Sequence, residues 1–266
     1  MSSVLRLIED AAGDFGAYAE ELAETQGIFA LPLVLSDGSV LPYRLQVTLT
    51  GTSVTVREAT PHNLPAFCPQ RHINRDGTFC LYWSENGSFA ISSAESATQW
   101  WEIVWKYLTL QARAEKKRRW PNNNEWAHGK AALHQKNAMA AAERLGPYFY
   151  AALDNSAISI ELQPKRSSAQ GPTLRVLVHG QHIYSIWLNS GKVVNRKQRC
   201  FCGSSGKKRP ARLRSCQGHA KDAADLALRI KKWQEAESEF WESFKEEACC
   251  GTCDDCPLQE KLREEE

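Results

Sequence analysis

The sequence predicts an α+β fold with a cysteine-rich extension, and three observations predict it. Apolar residues recur at helical spacing near the N-terminus and again from Ala97 onward. Between these stretches lie runs of strand character separated by tight turns, and seven of the nine cysteines fall after residue 199. Helices placed before and after an antiparallel meander, rather than interleaved with its strands, indicate α+β and not α/β.

The elements follow in order. Ile8, Ala11, Phe15, Tyr18 and Leu22 recur at steps of three and four, which predicts a first helix ending near Gly27. Strands are expected at Phe29–Leu35, Val40–Thr50 and Ser53–Arg57, divided by Ser36-Asp37-Gly38-Ser39 and by Thr50-Gly51-Thr52. Leu41, Tyr43, Leu45, Val47 and Leu49 alternate with polar residues except at Pro42, so the meander has one buried face. Residues 60–93 are rich in Pro, Asn, Gly and Ser with little periodicity. A long irregular stretch inside a compact domain is usually functional or disordered, and Phe79, Tyr82 and Trp83 argue against disorder. A helix with the stripe Ala97, Trp101, Val104, Trp105 and Leu108 follows, then a break at Pro121 and a helix from about Lys130 to Ala152. Ile158–Leu162, Thr173–Val178 and Gln181–Leu188 read as strands, the last two joined across His179-Gly180. Leu226, Ile230, Trp233, Ala236, Phe240, Trp241 and Phe244 give a late helix with a wide apolar face. The expected division is 1–155, a connecting strand-rich segment 156–198, and a cysteine-rich extension 199–266.

Composition narrows the function classes. A hydrophobic share of 42% and nine tryptophans suffice for a core, while a net charge of +2 gives no global attraction to nucleic acid or membrane. No apolar run reaches the roughly 18 residues of a membrane span, and residues 1–14 lack a signal-peptide pattern, so a cytoplasmic protein is expected. In that compartment clustered cysteines read as metal ligands or catalytic thiols rather than disulfides. Charge is segregated locally: Arg196–Arg214 holds eight basic residues and no acid, and Glu235–Glu266 holds twelve acids against three bases. Such a basic stretch suits phosphate or an acidic protein surface, but its few aromatics and ordinary solvated character make nucleic acid an unexpected partner.

Cys68-Pro-Gln-Arg-His72-Ile-Asn74-Arg-Asp-Gly77-Thr-Phe-Cys80-Leu81 resembles the active-site stretch of ubiquitin-conjugating enzymes, whose strand meander leads through a proline-rich turn and a His-Pro-Asn signature to Gly-x-hydrophobic-Cys-Leu. The resemblance covers roughly residues 1–155 and implies the ubiquitin-conjugating (UBC-like) fold of the prokaryotic type, with Cys80 as a thioester-forming nucleophile. An ungapped alignment puts His72 where the family has its signature Asn, with Asn74 two positions later, and the literal His-Pro-Asn is absent. His72 can donate to an oxyanion or act as a base on the incoming amine; Asn74 can supply the amide instead if the loop is shorter. Cys68 reads as structural. His128 in Glu125-Trp-Ala-His128-Gly129 reads as a helix-start residue with Trp126 packed in the core, or as a substrate-orienting group.

Cys200-Phe-Cys202-Gly-Ser-Ser-Gly-Lys-Lys with Cys216-Gln-Gly-His219 resembles the small zinc module called SEC-C, with thirteen residues between the ligand pairs where the family has fewer. Three thiolates and one imidazole close a tetrahedral zinc site of the structural type. Cys249, Cys250, Cys253 and Cys256 can close a second one, although adjacent Cys249 and Cys250 are awkward ligands for a single ion. Cys250-x2-Cys253-x2-Cys256-Pro257 is also similar to an iron-sulfur loop that has lost a cysteine. Zinc, as one or two structural ions, is the expected cofactor, with no organic one.

The resemblance implies a carrier transferase: Cys80 takes a ubiquitin-like tag or a protein C-terminus as a thioester and passes it to a target amine. It implies as partners an adenylating activating enzyme, a ubiquitin-like protein or the C-terminus of a CD-NTase-type synthase, and a target protein. It also implies a setting in bacterial antiviral defence, of the CBASS type or in a ubiquitin-like conjugation operon. The rival readings are a catalytically inactive scaffold of the same fold and a zinc-dependent protein- or nucleic-acid-binding module.

Overall fold

The computed structural model describes residues 3–60, 63–82, 89–121, 126–164, 171–202 and 211–259. Trp83, Glu125 and the Gly203–Lys208 part of the zinc-module resemblance lie outside these residues. The chain forms two compact units, residues 1–123 with 244–266, and residues 124–243. This differs from the expected division at 155 and 198. The helices after residue 130 pack on the second sheet and not on the first, and the segment from Phe244 packs with the first unit. Among the described residues no helix is long and apolar enough to cross a membrane.

In the first unit, helix α1 (Ser3–Ala12) precedes a four-stranded antiparallel sheet of β1 (Tyr18–Leu22), β2 (Gln26–Val34), β3 (Val40–Thr50) and β4 (Ser53–Glu58), ordered β1-β2-β3-β4. Helix α2 (Ala94–Lys117) completes the unit's regular elements. The expected first helix therefore ends early. Leu5, Ile8 and Ala11 are buried on its face as the spacing demands, but the chain turns at Gly16 in the left-handed region (φ 71°), and Tyr18 and Leu22 fall on β1. Glycine carries that backbone without a Cβ clash, and here it outweighs the helical periodicity of the flanking apolar residues.

The sheet's buried face is supplied by Phe29, Leu31 and Leu33 of β2, Tyr43, Leu45 and Val47 of β3, and Val54 and Val56 of β4. Pro42 sits opposite Pro32, beyond the paired reach of β4 and β1, so neither ring removes a ladder hydrogen bond on an outer side. Helix α2 starts at a capping box in which the Ser93 and Ser96 side chains satisfy each other's backbone N–H groups. Its buried face includes Ala97, Trp100, Trp101, Val104, Tyr107 and Leu108; Trp105, expected in the stripe, is 38% exposed and Trp100 takes its place. Trp101 Nε1 donates to the Ile8 carbonyl at 2.8 Å and its ring meets Phe29 edge-on, fixing α1 and α2 over the sheet.

The second unit pairs helices with a smaller sheet. The long helix expected over 130–152 is two: α3 (Ala131–Leu145) and α4 (Pro147–Asp154), broken at Gly146 (φ 118°, ψ 168°) and restarted by Pro147 at its first turn. The sheet is β5 (Ile158–Gln163), β6 (Thr173–Val178) and β7 (Gln181–Trp187), antiparallel in that order. His179 (φ 49°) and Gly180 (φ 74°) both take the left-handed region that a two-residue hairpin loop with right-handed twist requires. Helix α5 (His219–Glu242) packs against α3 through Ala138, Ala141 and Ala142 and its own Ala223, Ala227 and Ile230. Small residues let the two backbones approach closely. Tyr184 Oη donates to the Ala223 carbonyl at 2.9 Å, anchoring the sheet to α5.

Candidate active site and cysteine clusters

Residues 68–80 form a compact double loop hung from β4. The Phe79 amide donates to the Val56 carbonyl at 2.8 Å, and Thr78 bridges to Arg57. At the base, Cys68 and Ile73 exchange both backbone hydrogen bonds (3.2 and 2.9 Å), closing a turn over Pro69–Arg71. His72 ends that turn in the left-handed region (φ 56°, ψ 40°). A non-glycine residue held there is uncommon and is kept by surrounding contacts. At the tip, Asn74 N donates to the Thr78 carbonyl and Gly77 N to the Asn74 carbonyl, both at 2.9 Å, while Asp76 Oδ1 accepts from Thr78 N at 3.0 Å and from Thr78 Oγ1 at 2.6 Å. The hydrogen bond from the Thr78 hydroxyl holds the Asp76 carboxyl below its ordinary value.

Cys80 follows directly and is exposed, with its backbone N–H donating to the His72 carbonyl at 2.8 Å. That carbonyl also accepts from Tyr107 Oη at 3.1 Å, and Tyr107 reaches the Arg71 carbonyl at 3.2 Å. Burial pushes the Tyr107 hydroxyl well above its usual 10, and nearby Cys80 adds to the rise, so the phenol stays a donor. Phe79 stacks on Tyr107 at 4.7 Å, and the His72 ring lies 5.2 Å from Trp120. Beneath the turn, buried Arg71 donates to Gln111 Oε1 (2.7 Å) and to the Gln111 carbonyl (3.2 Å), while Gln111 Nε2 donates to the Arg71 carbonyl at 2.6 Å. The irregular segment is therefore rigid where it matters: an exposed thiol on a hairpin whose floor is a buried polar network.

His72 and Cys80 thus face each other across one backbone hydrogen bond, whereas Asn74 sits at the hairpin tip with Nδ2 donating to Thr78 Oγ1 at 3.0 Å. His128 is in the second unit. Its backbone N–H donates to Glu237 Oε2 at 3.0 Å, its Nδ1 lies 2.5 Å from Glu237 Oε1, and its ring stacks on Phe240 at 4.6 Å. Burial raises the Glu237 carboxyl, but the bonds with His128 outweigh it and hold the group below its ordinary value. Trp126, expected in the core, is 40% exposed. Residues that the sequence reading passed over are Tyr107, Gln111, Arg71 and Trp120. A Gln in the apolar stripe of α2 and an Arg inside a proline-rich turn were the available signals.

In the second unit Cys200, Cys202, Cys216 and His219 gather with all four donor atoms within 4.8 Å of one another. Cys200 Sγ and Cys216 Sγ lie 3.3 and 3.6 Å from His219 Nδ1. An Arg199–Arg212 bridge brings the two halves together, with Cys200 N donating to Ala211 O, and His219 opens α5. Burial, then the bond with Cys216, pushes the Cys200 thiol up to about 12. Three soft thiols and one ring nitrogen in a closed group fit a tetrahedral metal ion. In the first unit, Cys68, Cys253 and Cys256 are buried, Cys250 packs against the core that contains Cys68, and Cys249 Sγ accepts from Gly251 N at 3.4 Å. Among the described residues no three of the sulfurs of Cys68, Cys249, Cys250, Cys253 and Cys256 lie within 4.8 Å of one another.

Comparison with known proteins agrees with this architecture. Residues 15–122 match the family described as "Prokaryotic E2 domain", and residues 127–258 match "Cysteine-rich domain, C-terminal to E2 domain". No curated protein and no solved structure matches. The junction of the two matches falls at the boundary between the two units, near residue 124. Helix, antiparallel meander, exposed-cysteine hairpin and following helix form the UBC-like part, and the sheet and clustered cysteines form the extension. With both matches in that order, the chain carries a prokaryotic E2 domain followed by the cysteine-rich domain that lies C-terminal to it.

Proposed function

We propose that this protein is a thioester carrier: Cys80 accepts an acyl group and delivers it to a target amine. The observation that carries the reading is the exposure of Cys80 on a hairpin fixed from below, since a nucleophile must reach a second protein while its backbone stays still. The Cys80 thiolate attacks the carbonyl of an acyl-adenylate made by an activating enzyme; the thioester forms and AMP leaves. The target amine then attacks the thioester carbonyl, the Cys80 thiolate departs, and the amine's proton goes to a base.

Both steps pass through an oxyanion that needs a donor. We assign that role, and acceptance of the amine proton, to His72, because it lies directly across the hairpin while the Asn74 amide is engaged at the tip. The acyl donor is the C-terminus of a ubiquitin-like protein or of a CD-NTase-type synthase, and the setting is antiviral defence in the bacterial cytoplasm. The cluster Cys200, Cys202, Cys216 and His219 holds zinc as a structural ion and takes no part in transfer. Co-expression with neighbouring genes tests the reading. A thiol-labile adduct is expected on wild type, a stable oxyester on Cys80→Ser and nothing on Cys80→Ala. The absence of any adduct while the activating enzyme is itself charged favours an inactive scaffold.

A further inference from the structure

His72 sits in the left-handed region (φ 56°, ψ 40°), and its carbonyl accepts the Cys80 N–H at 2.8 Å, so the backbone of one residue links both groups that the transfer uses. We propose, on the basis of the carrier role of Cys80, that Tyr107 and Trp120 are the positioning residues of His72. The Tyr107 hydroxyl fixes the main chain of His72 and the Trp120 ring backs its imidazole, so the side chain that serves the oxyanion and the amine proton is aimed before the acyl group arrives.

Backbone accounting isolates what the hydroxyl does. Gln111 Nε2 already donates to the Arg71 carbonyl at 2.6 Å, and Cys80 N to the His72 carbonyl, so neither acceptor is left bare without Tyr107. Tyr107 Oη nevertheless lies 3.2 Å from the first and 3.1 Å from the second. A phenol has one proton to donate, and here two successive carbonyls share it. Those carbonyls belong to the peptide planes before and after the His72 Cα, and the rotation of one plane against the other is φ and ψ of His72. Tyr107 therefore holds both dihedrals at once, and with them the direction in which the imidazole leaves the chain. A non-glycine residue keeps the left-handed conformation only where its surroundings over-determine it.

The hydroxyl has a firm base. Tyr107 and Gln111 are one turn apart on α2 and so project to the same side, where buried Arg71 donates to Gln111 Oε1 at 2.7 Å. The Tyr107 ring is buried and stacks at 4.7 Å on Phe79, the residue before Cys80. Trp120 is buried as well, with its ring 5.2 Å from that of His72 and 6.2 Å from that of Tyr107. The Cys80 N–H is committed to the His72 carbonyl and is not available to an oxyanion, which raises the demand on the His72 side chain.

Discharge of the Cys80 thioester to a small amine tests the assignment, comparing wild type, Tyr107→Phe, His72→Ala and the double variant of the full chain. Tyr107→Phe removes the proton and keeps the ring. Charging within about twofold of wild type is expected, with discharge at saturating amine slowed about 10- to 100-fold and the half-saturating amine concentration unchanged. Because Tyr107 acts through His72, adding Tyr107→Phe to His72→Ala should slow discharge by less than about twofold further. Full additivity of the two losses, a wild-type rate for Tyr107→Phe, or a loss seen only in the half-saturating concentration would each overturn the proposal. Should Tyr107→Phe fail to fold, crossing Trp120→Leu with His72→Ala decides by the same criterion. No thioester on wild-type Cys80 while the activating enzyme is charged is a separate result that removes the carrier role itself; a thioester that forms and discharges with additive losses removes only the positioning role.

Discussion

At the scale of the residue, the chemistry of residues 68–80 turns on which side chain serves the oxyanion. Removing one well-placed donor lowers the rate by about 10²–10³. His72→Ala is expected to slow discharge of the Cys80 thioester by that order, and Asn74→Ala by less than about tenfold, read from single-turnover transfer to a small amine. Arg71 gives a prediction of stability. Replacing it with Met leaves the buried Gln111 Oε1 without its donor and is expected to destabilise the first unit by about 2–4 kcal/mol in chemical denaturation. Glu237 supplies a pH dependence in the second unit. Its carboxyl is held below the ordinary 4.5, so the stability it contributes is complete above that value and lost as pH falls through its lower folded value. The melting temperature of Glu237→Gln should therefore lie below that of wild type at neutral pH, with the gap closing as pH falls below the ordinary 4.5.

At the scale of the element, local turn chemistry decided more than periodicity did. Strand β3 and the hairpin at His179-Gly180 were legible because alternation and turn residues agree there. Helix α1 was over-extended because Phe15, Tyr18 and Leu22 fit a helical stripe by coincidence, while Gly13 and Gly16 carried the stop signal. The same error joined α3 to α4 across Gly146-Pro147, a plain helix break. The start of α2 depends on a cap no hydrophobic pattern reveals, and Ser93→Ala is expected to cost about 1 kcal/mol in denaturant unfolding. The segment carrying exposed Cys80 and the group Cys200, Cys202, Cys216 and His219 stand out in the sequence as motifs. Cys68, which reads as structural in the sequence, is buried in the core of the first unit.

At the scale of the whole molecule, the chain leaves the E2 unit near residue 124, builds the second sheet and its metal cluster, and returns at Phe244 to the unit it left. The return segment is tied to that unit by the Arg118–Asp254 pair at 2.8 Å and by the Phe244 ring against Phe67 at 5.4 Å. The central claim is narrower: of nine cysteines, Cys80 alone carries the acyl group. Its most direct test is to charge the purified wild-type protein with activating enzyme, ATP and the acyl donor, and to map the adduct by peptide mass without reductant. The account predicts a thioester on the peptide containing Cys80 and on no other. An adduct on any other cysteine, or none while the activating enzyme is charged, would contradict it.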